Sequence, residues 1–271
     1  MKIRFLGTGS SGGVPEIGCG CEVCRSTDPK DKRSRSSVLI SERLTSGENL
    51  NVLIDVSPDF RTQMLSMNFN EGFENILITH PHNDHISGFD DLKYIAKLTN
   101  RGIEIFADRC TADAIRVSYD YMFDEQKIKE YLYFLPSVKM HVIERYKPFF
   151  IKDKIEVLPL PVMHGNEEIL GYKIGKMVYI SDCSAIPPKT LEYMHDLDLL
   201  VLDCTHYIKK VSVLHFTMKE CLQIIEQVKP KQTYLTHISH NCETHDAMNQ
   251  TIKTLTKHNV ELAYDGLEAD I

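Results

Sequence analysis

The sequence predicts a mixed α/β chain in which two β-sheets are covered by helices, folded as one domain over residues 1–271. Short apolar runs of strand length alternate with stretches of helical period, so one chain builds both sheets and helices. No internal repeat, low-complexity tract or linker divides it, and its length suffices to bury one large core. Histidine and aspartate recur just after the strand-like runs, as they would if one rim of the sheets carried a site.

In chain order, residues 1–6 read as a strand running into a turn-rich loop from Gly7 to Pro15. Val38–Ile40 and Asn51–Ile54 read as paired strands with Ser46-Gly47-Glu48-Asn49 as their turn. Ser57-Pro58-Asp59-Phe60 starts a helix reaching about Met67, with proline near its first turn. Asn75–Ile78 is a short buried strand. A helix then begins near His85, and Ile86, Phe89, Leu92, Ile95 and Leu98 keep helical spacing. Residues 111–135 carry Ile115, Tyr119, Tyr121, Met122, Phe123, Tyr131, Tyr133 and Phe134 among charges. They read as one or two helices, packed on a sheet or serving as a substrate lid. Strand-like runs follow at Glu156–Leu160, Met177–Ile180, Leu197–Leu202 and Thr233–Leu235, and Met218–Val228 is helical before Pro230.

A formal net charge of −7 argues against a sequence-independent nucleic-acid binder, so extended nucleic acid is not the expected partner. It still admits a small phosphorylated substrate, because a bound dication reverses the local field. The first residues contain no long apolar segment, and no stretch approaches the ~18 apolar residues of a membrane span. A cytoplasmic protein without membrane association is the expectation, and a homodimer is compatible with it. Of eight cysteines, Cys19, Cys21 and Cys24 are clustered and suit a metal site better than a disulfide framework. Cys183, Cys204 and Cys221 lie in or beside apolar segments and read as small core residues.

The densest chemistry lies in His80-Pro81-His82-Asn83-Asp84-His85, directly after the strand at 75–78. Three imidazoles and a carboxylate in six positions are metal-ligand types on a strand-end loop, against the bland reading of a solvated histidine-rich loop. His164, Asp182 and His237 each follow a later strand. One such residue would ordinarily be a structural histidine or a turn aspartate; the repetition is what points to a shared site. No Gly-x-Ser-x-Gly elbow or Walker loop supplies another nucleophile, which leaves water as the attacker.

The His-x-His-x-Asp-His cluster, followed by His164, Asp182 and His237, resembles the metallo-β-lactamase-fold hydrolases over nearly the whole chain. The resemblance implies an αββα four-layer sandwich with two divalent active-site metals, which this donor set would take as zinc, manganese or iron. It also implies that His80, His82 and His164 hold one metal, that Asp84, His85 and His237 hold the other, and that Asp182 bridges them.

The start of the chain is more specific. Leu6-Gly7-Thr8-Gly9-Ser10-Ser11-Gly12-Gly13-Val14-Pro15, followed by Gly18-Cys19-Gly20-Cys21-Glu22-Val23-Cys24, resembles the cyclic-phosphate phosphodiesterase branch, which includes the phosphoribosyl cyclic phosphate phosphodiesterases. The resemblance implies a structural zinc on Cys19, Cys21, Cys24 and His240. Unmetallated thiols, or Cys242 or His245 as fourth ligand, remain open. It further implies that His215, in Leu214-His215-Phe216-Thr217, is the general acid, with His206 a competitor for that role. Asp84 and His215 are the residues on which turnover is expected to rest. His141, His195, His245 and His258 have no comparable context and read as solvent-facing. Ser10 and Ser11 are candidate substrate-binding residues, with a plain tight turn as the alternative, and Asp55 and Asp59 read as supporting or capping residues.

The expected function is metal-dependent hydrolysis of a phosphodiester in a small cyclic phosphate or nucleotide, by a hydroxide bridging the two metals. Alternatives are a transfer-RNA 3′-end processing nuclease, which normally carries a basic arm not found here, and a thioester hydrolase of the glyoxalase II kind. A non-catalytic metal-binding protein is a further class, though it would be expected to lose ligands that this chain retains.

Overall fold

Two seven-stranded sheets lie face to face in the computed structural model, which describes residues 1–67, 72–130, 137–208, 210 and 212–271. The first sheet holds β1 (Lys2–Gly7), β2 (Ser37–Arg43), β3 (Asn49–Ile54), β4 (Asn75–Leu77), β5 (Ile103–Ala107) and β6 (Val138–Val142) in that order. The second holds β7 (Phe149–Ile151), β8 (Ile155–His164), β9 (Glu167–Ile174), β10 (Met177–Ile180), β11 (Leu199–Asp203), β12 (Gln232–Thr236) and β13 (Val260–Leu262), again in order. The last strand, β14 (Glu268–Asp270), returns to pair with β1. Nine α-helical segments are described: α1 (Glu22–Arg25), α2 (Phe60–Ser66), α3 (Asn83–Ile86), α4 (Leu92–Thr99), α5 (Arg109–Ser118), α6 (Glu125–Glu130), α7 (Pro188–Leu191), α8 (Met218–Val228) and α9 (His245–Leu255).

Strand alternation sorts the apolar residues into three layers. Ile3, Phe5, Val52, Ile54, Val157, Tyr172, Tyr179 and Val201 fill the space between the sheets. Leu53, Ile76 and Ile105 face the other way and meet Phe60, Ile95 and Ile115 from α2, α4 and α5. On the far side, Leu200, Leu202 and Leu235 meet Cys221, Ile225, Met248 and Ile252 from α8 and α9. Because both faces of the sheets are covered, central strands are apolar throughout rather than alternating with polar residues. The result is the αββα sandwich of the metallo-β-lactamase fold.

Strand direction concentrates particular termini on one rim. Strands β3 to β6 run parallel, as do β10 to β13, so each set ends on one side of its sheet. Strand β8 is two antiparallel steps from β10, which puts His164 at the same end as Asp182. By the same count, the start of β2 and the end of β1 join this rim of the first sheet. Open α/β sheets bind ligands at such carboxyl ends.

Several sequence expectations need adjustment. The turn between β2 and β3 closes through Leu44 and Glu48, and Asn49 already belongs to β3, because its side chain faces Arg43 across the hairpin. The helical spacing from Ile86 to Leu98 spans α3 and α4 rather than one helix, and Leu98 is exposed beyond the buried face of Leu92 and Ile95. Ile115 and Met122 pack into the core, in line with helices lying on the sheet; Tyr131, Tyr133 and Phe134 fall outside the described residues. His245 is buried, not solvent-facing: it opens α9, its backbone N–H donates to Asp31, and its ring meets Arg33 and Asn249. His141 is half-buried, stacked on Phe106 and paired with Glu104. Among the described residues, no helix is long and apolar enough to cross a membrane.

Candidate metal centre

The apolar strand β4 delivers Thr79 and His80 to the rim, and His82 then occupies the N-cap position of α3. That single turn places Asp84 and His85 on the side facing the second sheet, where β8, β10 and β12 end in His164, Asp182 and His237. The chain bends sharply at His237, which adopts a left-handed backbone (φ 57°) uncommon for histidine. The ligand atoms of His80, His82 and His164 all lie within 4.8 Å of one another, and so do those of Asp84, His85, Asp182 and His237. Asp182 reaches both groups, with its oxygens 3.2 Å from His85 Nε2, 3.4 Å from His237 Nε2 and 3.9 Å from His80 Nε2.

The inner nitrogens can face this centre because the outer ones are held. His80 Nδ1 lies 2.9 Å from the Thr79 hydroxyl, His85 Nδ1 2.7 Å from Asp55, His164 Nδ1 2.9 Å from the Leu214 carbonyl and His237 Nδ1 2.9 Å from the Thr205 hydroxyl. Such partners orient imidazoles and set the tautomer that presents a lone pair to a cation. Asp55 therefore supports His85, while Asp59 accepts from the backbone and guanidinium of Arg35 rather than capping α2.

Three buried inner atoms, His85 Nε2, His237 Nε2 and Asp182 Oδ1, have no hydrogen-bond partner among the described residues, a costly arrangement unless a cation meets them. Burial pushes the Asp182 carboxyl upward, but His237, His85 and His80 outweigh it and hold its pKa well below the carboxylate range. Burial likewise opposes charge on His85, yet Asp182, Asp55 and Asp84 drive its pKa well above the ordinary value. Left alone, these carboxylates draw protons onto the imidazoles; divalent cations would satisfy them instead. The residues present therefore fit a two-cation centre.

His215 stands beside the centre, stacked on His237 with ring centroids 4.9 Å apart. Its Nδ1 is 2.9 Å from Asp203 Oδ2, and that fully buried carboxylate also accepts the amides of Cys183 and Thr205. The sequence reading missed Asp203. Its signal was available, because it ends β11 as Asp182 follows β10. His206 lies behind His215, at 6.0 Å between centroids, and its Nε2 meets Ser212; no grouping of potential ligands includes it among the described residues.

A second cluster forms where the N-terminal loop meets the end of β12. The ligand atoms of Cys19, Cys21, Cys24 and His240 lie within 4.8 Å of one another, with His240 Nδ1 3.2 Å from Cys19 Sγ. The backbone N–H of Cys24 draws the Cys21 thiol down to about 6, whereas burial pushes Cys24 up to about 11. Cys242 points elsewhere, toward the Thr205 carbonyl, and His245 binds Arg33. In the glycine loop, Ser10 is buried and Ser11 exposed; the Ser10 amide donates to Ile238 and the Gly13 amide to Ser10, closing a tight turn. Cys183, Cys204 and Cys221 are fully buried in the core.

A family model described as a Beta-lactamase superfamily domain matches residues 50–238. An octanoyltransferase of Porphyromonas gingivalis is 35% identical over 271 residues, covering 100% of this chain and 52% of its own length, so the chain spans about half of that relative. Among solved structures, a diphosphatase from the PhnP family superposes with a TM-score of 0.86 at 33% identity, covering 100% of this chain and 97% of that one. Zn(2+)-bound PqqB from Methylobacterium extorquens shares the fold, with a TM-score of 0.76 at 18% identity and full coverage of both chains.

Proposed function

We propose that this chain, which belongs to the β-lactamase superfamily, hydrolyses a phosphodiester in a small phosphorylated molecule, a cyclic phosphate or a nucleotide. The observation that carries the reading is a pair of adjacent ligand groups, with Asp182 in one and 3.9 Å from His80 of the other, and an Asp203-backed imidazole alongside. His80, His82 and His164 would hold one divalent cation and Asp84, His85 and His237 the other, with Asp182 common to both. Zinc, manganese and iron all suit this donor set. When bound, two such cations lower the pKa of a shared water from ~15.7 toward neutrality and draw charge from phosphoryl oxygens.

The remaining work falls to the chain. Asp203 fixes the His215 ring through Nδ1, leaving Nε2 to deliver a proton to the departing oxygen. Asp55, Thr79 and Thr205 keep the ligand rings aimed inward. A zinc on Cys19, Cys21, Cys24 and His240 would tie the glycine loop to the strand end bearing His237.

A second reading, cleavage of a diphosphate bond, is favoured by the similarity to the PhnP-family diphosphatase. Leaving-group basicity separates the two. An alkoxide needs a proton and a phosphate or 4-nitrophenolate does not, so His215→Ala should slow an alkyl phosphodiester by about 10²–10⁴-fold and spare the activated ester. Turnover of nucleoside cyclic phosphates, dinucleoside diphosphates, precursor RNA and an octanoyl thioester by the metal-loaded protein is the direct assay. Hydrolysis of the thioester alone would overturn the reading.

A further inference from the structure

Glu16 is built into the thiol cluster through its backbone. Its N–H donates to Cys24 Sγ at 3.4 Å, and its carbonyl accepts the Cys19 N–H at 3.1 Å. Any residue but proline could make both bonds. The carboxylate adds something they do not require: Glu16 Oε2 stands 3.2 Å from His240 Nε2. The other nitrogen of that ring, Nδ1, faces the sulfurs, 3.2 Å from Cys19 Sγ and 3.8 Å from Cys21 Sγ. One imidazole is thus divided between the thiols and a carboxylate, and no other acidic side chain is within ion-pair reach of it among the described residues.

We infer that Glu16 is the positioning residue of the thiol site: it accepts the Nε2 proton of His240 and so presents Nδ1 to a zinc held by Cys19, Cys21 and Cys24. The inference rests on the zinc reading above and not on the identity of the substrate. A neutral imidazole offers a lone pair from Nδ1 only when its proton sits on Nε2. A carboxylate at Nε2 selects that tautomer, fixes the ring and makes the ligating nitrogen more basic.

Gly12 carries the arrangement into the glycine loop. A Cβ there would lie 2.9 Å from Glu16 Oε2 and 3.4 Å from its Cγ, so an alanine would push the carboxylate aside. The obstruction is the end of a flexible side chain rather than backbone, and Gly12 lacks the left-handed backbone of Gly13. Gly12→Ala therefore acts through Glu16, although Gly12 itself supplies no ligand.

The test titrates the full-length apoprotein with chelator-buffered cobalt(II) as a stand-in for zinc. Thiolate-to-cobalt charge-transfer absorption reports the cysteine site alone, because the active-site donors are nitrogen and oxygen. Glu16→Ala should weaken cobalt binding at this site about tenfold or more. Glu16→Gln, whose amide oxygen still accepts a hydrogen bond, should recover part of that loss. Gly12→Ala should weaken binding as well, yet add less than about twofold once Glu16 is already alanine. Binding within about twofold of wild type in Glu16→Ala would make Glu16 an exposed surface pair without a role at the metal. A glutamine variant no better than alanine, or a Gly12→Ala loss that persists in full without Glu16, would equally overturn the inference. A wild type that shows no charge-transfer band would overturn the zinc reading beneath it, and is distinguishable because it appears before any substitution.

Discussion

His237 and His245 lie close together in sequence and are almost equally buried, yet they are built for different tasks. At His237, Nδ1 is pinned by Thr205 while Nε2 faces Asp84 and Asp182 without a hydrogen bond. At His245, the Arg33 guanidinium donates to Nδ1 at 3.2 Å, and Nε2 lies 3.0 Å from the Asn249 side-chain nitrogen rather than facing a carboxylate. Burial alone does not mark a ligand. An unsatisfied inner nitrogen turned toward carboxylates does, and the cationic guanidinium at His245 makes that ring a poor place for a metal.

The sharpest way to break this distinction is to exchange the losses. His237→Ala should remove one active-site cation and cut phosphodiester hydrolysis by about a thousandfold or more, read by elemental analysis and initial rates. His245→Asn should leave metal content and turnover within a few-fold. If both variants lose metal equally, the inner-nitrogen criterion is wrong. Next in size is Asp203→Asn, which keeps the shape but weakens the hold on His215. It should slow alkyl phosphodiesters about 10–100-fold with metals retained, and a loss of metal instead would reassign Asp203. Cys24→Ser addresses the thiol cluster: one zinc per chain should be lost and Tm should fall by about 5–10 °C, while the two active-site cations stay.

Much of the rim was legible because its chemistry is local. His80, His82, Asp84 and His85 fall within one loop and one helical turn, and His164, Asp182 and His237 each end or follow a strand, β8, β10 and β12, whose apolar residues read as one in the sequence. Strand β4 has only three residues, but its apolar side chains and the ligand cluster after it gave it away. Contacts between neighbouring strand ends were less visible. Asp55 and Thr205 bond to histidines distant in sequence, and nothing in the composition of either segment says so. Asp203 is hard to single out although it ends a legible strand, because its partners His215 and Cys183 meet it only in the folded chain. His245 was misjudged because its burial comes from Arg33 in the N-terminal region, which α9 meets only in the folded chain. Edge and hairpin strands such as β6 and β9 mix charged residues into their alternation, so their strand signal is weak.

The smallest effect expected is a pH signature at His245, and it bears on why the two histidines differ. Burial first, then Arg33 and Lys30, push the His245 pKa from the ordinary 6.5 down to about 4, against the weaker pull of Asp246 and Asp31. The folded protein thus keeps this ring neutral where the unfolded chain would protonate it. Between about pH 6.5 and 4 the unfolded state binds the extra proton, so His245 lowers stability progressively as pH falls and contributes nothing further above pH 6.5. Carboxylates and metal ligands titrate in the same window, but they are common to wild type and variant and cancel in the difference. Tm measured from pH 7 to 4.5 should fall a few degrees more steeply in the wild type than in His245→Asn, because asparagine has no proton to gain. Parallel curves would mean that the folded ring takes up its proton over the same range as the unfolded chain, which cannot hold while Arg33 donates to its Nδ1. In that case the contrast with His237 would rest on the metal centre alone.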